Sequence, residues 1–95
     1  MKEIPHLAVA FAQILQEARG QARLSQTALA EELDCARSFI SFLETRDHLP
    51  SLNTFLVISR ALDMPSVELL TRLEARLAVF AVQNEAKISD PDNPS

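Results

Sequence analysis

Few side chains in this chain are arranged to make or break bonds. His6 and His48 each stand alone, and the single cysteine, Cys35, has no credible histidine partner. One glycine, Gly20, cannot build a glycine-rich phosphate loop, and no carboxylate cluster accompanies a histidine. One cysteine also excludes an internal disulfide framework and a cysteine-rich metal site. We therefore expect no enzyme, no metal and no cofactor. What remains includes a short run of polar and aromatic side chains. Arg37 and Ser38 stand side by side, with Ser41 and Phe42 one helical turn on. A guanidinium offers a fork of donors, a hydroxyl can donate or accept, and an aromatic ring offers apolar area.

These groups need a scaffold, and the composition points to helices. Leu, Ala, Glu, Gln and Arg dominate, and Trp and Tyr are absent. Ninety-five residues fit one domain whose core is small enough that association between copies is a natural supplement. The apolar fraction, 47%, is that of a globular chain. The run Leu7 to Ala12 is too short to span a membrane and is followed at once by Gln13, Gln16 and Glu17, so it reads as a core helix. Glu3 and the lack of a cleavage site count against a signal peptide. With its lone cysteine, the chain suits a reducing cytoplasm.

Five helices are expected. The first covers about 5–22, with Pro5 at its first turn and Leu7, Phe11, Ile14 and Ala18 on one face. Ser25 caps a short second helix over about 26–33, with Ala28, Leu29 and Leu33 inward. Asp34-Cys35 makes a tight turn, since Asp tolerates the left-handed conformation. A third helix covers about 37–45 on Ile40 and Leu43, with Phe39 at its margin. After a loop, Ser51 caps a fourth over about 52–62, carrying Leu52, Phe55, Leu56 and Leu62. Pro65 stops it, and Ser66 caps a fifth over about 67–87. Residues 89–95 (SDPDNPS) have a disordered composition. The expected division is 1–66 for the recognition domain, 67–88 for a C-terminal helix and 89–95 for a tail.

The run Leu24-Ser25-Gln26-Thr27-Ala28-Leu29-Ala30-Glu31-Glu32-Leu33 resembles the second helix of the phage repressor and Cro family, the xenobiotic-response-element family of helix-turn-helix proteins. Ile40-Ser41, Leu43-Glu44, Pro50-Ser51-Leu52 and Ala61-Leu62-Asp63-Met64 extend the likeness over about 11–70. The resemblance implies an all-α, five-helix repressor-like fold in a prokaryotic or phage protein. It also implies an ion pair from Arg19 to Glu44 that bridges helices one and three, and a third helix that enters the major groove of double-stranded DNA.

On that reading the DNA-facing set is Gln26, Thr27, Arg37, Ser38, Phe39, Ser41, Phe42, Arg46 and His48. Arg37 can grip guanine with two hydrogen bonds, a contact worth about 1–3 kcal/mol of discrimination, or it can be a solvated surface charge. Ser38 can contact DNA or replace the missing helix cap at Ala36. Gln26 fixes a phosphate or a neighbouring side chain, or merely fills the helix. His48 reaches phosphate or is an ordinary loop residue. Cys35 is a small buried hydrophobe or a redox sensor. Phe42 departs from the family's polar or basic residue. It can meet thymine methyl groups, mark a protein-binding surface, or fold back on its own helix. Asp34 stands where Gly is usual, and Arg46 where Gly or Asn often closes helix three.

Charge argues the other way. The net charge is −4, with five bases against six acids in residues 1–46 and four against seven in 47–95. DNA binders usually carry a basic face, although the local field matters more than the total.

The fifth helix carries two apolar stripes. Leu70, Leu73, Leu77, Phe80 and Ala81 can pack on the domain. Ala75, Ala78, Val79, Val82 and Ala86 lie roughly opposite and imply a homodimer through this helix. A monomer in which helix one covers the second stripe is the alternative. The expected function is a sequence-specific regulator, a repressor above all, on a near-palindromic operator. A protein-interaction module or antirepressor that has lost DNA binding is the competing reading. No site for a small-molecule effector is visible.

Overall fold

The computed structural model describes residues 1–45 and 47–88, with side chains described through 83. Arg46, the side chain of Ala86 and the expected tail at 89–95 lie outside the described residues. Five helices follow in order: α1 Leu7–Gln21, α2 Gln26–Glu32, α3 Arg37–Leu43, α4 Leu52–Ala61 and α5 Ser66–Ile88. No strand occurs among the described residues. The fold is all-α, as the sequence implies.

α1 is the central member. Ala10, Phe11, Ala12, Ile14, Leu15 and Ala18 are all buried, so it is enclosed over most of its circumference. α2 packs on α3 and α4, and α5 packs on α1 and α4. Leu29 and Ala30 of α2, Ile40 and Leu43 of α3, Ile58 and Leu62 near the end of α4, and Leu69 and Leu73 of α5 complete one core with α1. The core differs from the expected stripes on α4 and α5. Leu52 and Leu70 are exposed, while Ile58 and Leu69 are fully buried. Ala81 also faces solvent. Leu69 takes the anchoring position on α5 because Leu73, Leu77 and Phe80 follow at helical spacing on the side that packs against the core.

The helix ends show how a chain with one glycine makes tight turns. Beyond α1, Arg23 and Leu24 donate backbone N–H groups to the carbonyls of Gly20 and Arg19. Asp34 and Cys35 do the same to Glu31 and Ala30 beyond α2, and Asp63 and Met64 to Arg60 and Ser59 beyond α4. Each is the paired closure in which the residue after the cap turns left-handed. The turning residues are Arg23 (φ 59°), Asp34 (φ 54°) and Asp63 (φ 53°). At the N-termini, the hydroxyl of Ser25 accepts from the N–H of Ala28 at 3.0 Å and that of Ser51 from Thr54 at 3.1 Å. Two expected helix starts differ. Ser66 is the first residue of α5 rather than its cap, and Pro5 lies in the turn ahead of α1, whose cap is a left-handed His6.

The most consequential contact sits at the end of α3. Glu44 is buried, with a side chain only 4% exposed. It accepts from Arg19 Nε at 2.8 Å and Arg19 Nη2 at 3.0 Å, the two-pronged geometry that suits guanidinium and carboxylate. The Nε2 of Gln26 donates to the same carboxylate at 2.9 Å. The Nε2 of Gln16 donates to the backbone carbonyl of Glu44 at 3.1 Å, and Arg19 Nη1 to that of Leu24 at 2.9 Å. One residue thus fixes α3 to α1 and α2 together. On the other side of α1, Arg76 of α5 donates to Gln13 at 2.7 Å and to Glu17 at 2.8 and 2.7 Å, and Arg72 donates to Gln21 at 2.6 Å.

Two predictions follow from these features. Glu44→Ala strands a partly buried guanidinium and should lower stability by about 3 kcal/mol, the low end for a broken buried pair because Arg19 retains some exposure. Urea unfolding followed by circular dichroism measures this; a loss below about 1 kcal/mol would remove Glu44 as the fixing point. Gly20 is helical, exposed, and has open space where a Cβ would go. Gly20→Ala and Arg23→Gly should therefore each stabilise the fold by about 0.5–1 kcal/mol, by giving the helix its side chain and the left-handed turn its glycine. Thermal unfolding of the double variant should show both gains.

Candidate nucleic-acid interface

α3 has seven residues, about two turns. Ile40 and Leu43 root it in the core, and Glu44 fixes its end. At roughly 100° per residue, the side pointing away from Ile40 and Leu43 carries Ser38 and Phe42, four residues apart on one ridge. Both are exposed, and Phe42 retains 53% of its accessible area. Arg37 and Ser41 flank the ridge on one side; Arg37 is exposed and Ser41 half-buried. Phe39 falls on the opposite flank. It lines a small cleft with Leu33, Cys35, Asn53, Thr54 and Val57, between α3 and α4, and so stands off the outward ridge.

The polar groups divide into committed and uncommitted. Among the described residues, Arg37 and Ser38 have no hydrogen-bond or ion-pair partner. Ala36 caps α3 with no side-chain hydrogen bond, and Ser38 does not replace it. Gln26 is committed, because its amide holds Glu44. Thr27 is exposed in the first turn of α2. Arg19, Arg72 and Arg76 are bound to Glu44, Glu68 and Glu17, which leaves Arg37 and Arg23 as bases near this surface without an acidic partner among the described residues. Glu31 lies one turn on from Thr27 on the same side of α2 and is exposed, so the surface is not uniformly positive.

Two residues that the sequence leaves apart come together. The ring of His48, from the loop before α4, meets the ring of Phe42 with centroids 4.5 Å apart and planes tilted 61°, edge to face. Phe42 therefore rests against the loop, not on its own helix. The hydroxyl of Thr45 donates to the carbonyl of Phe42 at 2.7 Å and closes the helix end beneath this pair. Cys35 is half-buried under the turn and bonds through its backbone to Ala30. No cluster of metal-ligating side chains occurs among the described residues, and no described helix is long and apolar enough to cross a membrane.

A second, apolar surface lies along α5 and the loop before α4. Ala75, Ala78, Val79 and Val82 of α5 are exposed, so α1 does not cover that stripe. Sequence reasoning missed the larger residues beside it: Leu52 (75% exposed), Val67 (73%), Leu70 and Leu49. Leu49, Leu52 and Leu70 border one apolar groove over Phe11, Phe55 and Leu73. Leu52 and Leu70 have the periodicity of core residues, so pattern alone assigns them inward.

Comparison with known proteins agrees with this architecture. The helix-turn-helix family model HTH_3, the Cro/C1 type, matches residues 15–69. The crystal structure of the restriction-modification controller protein C.AhdI from Aeromonas hydrophila is 35% identical, with a TM-score of 0.62 over 65% of this chain and 94% of that one. The clp gene regulator ClgR from Corynebacterium glutamicum shares the fold at 21% identity, with a TM-score of 0.81 over 98% of this chain and 100% of its own. A mutant of the restriction-modification controller protein C.Esp1396I does so at 18% identity, with a TM-score of 0.73 over 77% of this chain and 97% of its own. No curated protein matches the sequence. With the matched segment running from α1 through the start of α5 and including both helices of the motif, the chain belongs to the Cro/C1-type helix-turn-helix family.

Proposed function

We propose that this chain is a DNA-binding transcription regulator that represses, as a two-fold dimer on a near-palindromic operator in a prokaryotic or phage cytoplasm. The observation that carries the reading is the outward ridge of α3: Ser38 and Phe42 at its crest and Arg37 beside them, exposed and with no polar commitment among the described residues. A rigid helix with uncommitted donors can enter a major groove and compete for base edges. The similar structures support the reading at the level of role, since two are named as restriction-modification controller proteins and one as a gene regulator. In the groove, Arg37, Ser38, Ser41 and Phe42 face bases, while Thr27 and His48 face the backbone. Gln26 acts through Glu44, and Phe39 supports the helix from the α4 side.

The dimer rests on the outer side of α5. Ala75, Ala78, Val79 and Val82 continue into Val67 and Leu70, and Leu52 of α4 widens the surface. A two-fold axis there makes one patch complementary to itself. It also presents two copies of α3 to half-sites about 34 Å apart, one turn of DNA. A protein-interaction module is the second reading, favoured by the net charge of −4 and by Glu31 beside Thr27.

Selection from random duplexes followed by fluorescence anisotropy separates the two. The regulator binds a selected site with a log affinity that falls linearly with log salt; no binding at low salt would leave the interaction module standing. Arg37→Ala should reduce discrimination at one base pair of each half-site by about 1–3 kcal/mol. Leu70→Glu with Val82→Glu should shift the species seen in analytical ultracentrifugation from dimer to monomer and weaken binding to the full operator far more than to a half-site. An unchanged sedimentation profile would place the dimer seam elsewhere.

A further inference from the structure

We propose that Phe42, positioned by His48, reads the C5-methyl group of a thymine, so that each half-site of the operator carries a thymine at a fixed place that the protein senses without a hydrogen bond. The inference rests on the reading of α3 as the groove-facing helix and adds the base that its crest selects.

Three observations carry it. First, Phe42 occupies the crest of α3, in line with Ser38 and opposite the buried Ile40 and Leu43, so whatever approaches the helix meets this ring early. Second, the ring is uncovered. Over half of its area is open although three other phenylalanines of the chain, Phe11, Phe55 and Phe80, are buried or half-buried against the core. Third, it is oriented. The edge-to-face contact with His48 limits the ring's orientation while 53% of its area stays open. A phenyl ring in the major groove cannot use the donors and acceptors of guanine, cytosine or adenine. The one apolar group that a base pair presents there is the thymine methyl. Contact with it removes apolar area of both partners from water, which no other base at that place repays.

The role of His48 differs from that of a phosphate ligand alone. It touches Phe42 rather than a base and acts as a positioning residue. Its ring limits where the phenyl group can swing and so converts an adaptable apolar contact into a base preference. The backbone beneath is fixed as well, through the bond from Thr45 to the carbonyl of Phe42.

The test uses the full chain and the duplex recovered by random-site selection. Each thymine is replaced singly by deoxyuridine, which removes the methyl group and keeps the base pair. One thymine per half-site should then show a three- to tenfold weaker affinity when replaced, and Phe42→Ala should be indifferent to that same replacement. Phe42→Leu, still apolar, should retain part of the penalty. His48→Ala should shrink the penalty at that thymine specifically, a coupling that a purely structural loop residue would not produce. Unchanged circular dichroism and melting establish that the variants fold, which the exposure of both rings favours. Selective binding with no Phe42-dependent deoxyuridine penalty, or a selected site without thymine in the contacted positions, would overturn the inference while leaving the regulator intact. Failure of the wild-type chain to select any DNA would overturn both.

Discussion

Everything this surface can do depends on a carboxylate that never reaches it. Glu44 closes α3 and is gripped by Arg19 from α1 and by Gln26 from α2, while Gln16 holds its carbonyl. A helix of two turns has too few backbone bonds to persist alone. Hydrophobic contact through Ile40 and Leu43 supplies attachment, but such contact has no direction and would allow the helix to roll. The carboxylate supplies direction. Burying it is favourable only because its oxygens meet a guanidinium and an amide, so the polar cluster tolerates few alternative arrangements. That is what keeps Ser38 and Phe42 on the crest.

The way the chain turns serves the same end. Three helices close with left-handed residues, Arg23, Asp34 and Asp63, and none of them is glycine. The closure after α2 matters most, because it sets the angle between the two helices of the motif. Cys35 bonds back to Ala30 there, and small Ala30, itself buried, lets the helices cross closely. An aspartate in the left-handed region is strained relative to glycine but has fewer conformations open to it, which narrows the hinge between α2 and α3.

Much of this was legible in the residues, for reasons that can be stated. Helix boundaries followed from Ser25, Ser51 and Pro65, whose effects are local, and the placements missed by a residue or two were those where a cap competes with a turn, as at Pro5 and Ser66. The assignment of Leu52 and Leu70 to the core failed because periodicity reports which residues share a side, not whether another element arrives to cover them. Leu69 and Ile58 were overlooked for the converse reason. The partners of Glu44 span 18 to 28 positions of chain, so no local rule joins them; the family pattern suggested Arg19, and Gln16 came from the structure alone. The meeting of Phe42 with His48 depends on how a loop folds over a helix end, which no spacing rule expresses.

α1 carries different contacts on its two sides. Gln16 and Arg19 hold the end of α3, while Gln13, Glu17 and Gln21 hold the arginines of α5. The two sets alternate along barely three turns of one rod. A displacement of α5 would therefore bear on the same rod that holds the end of α3.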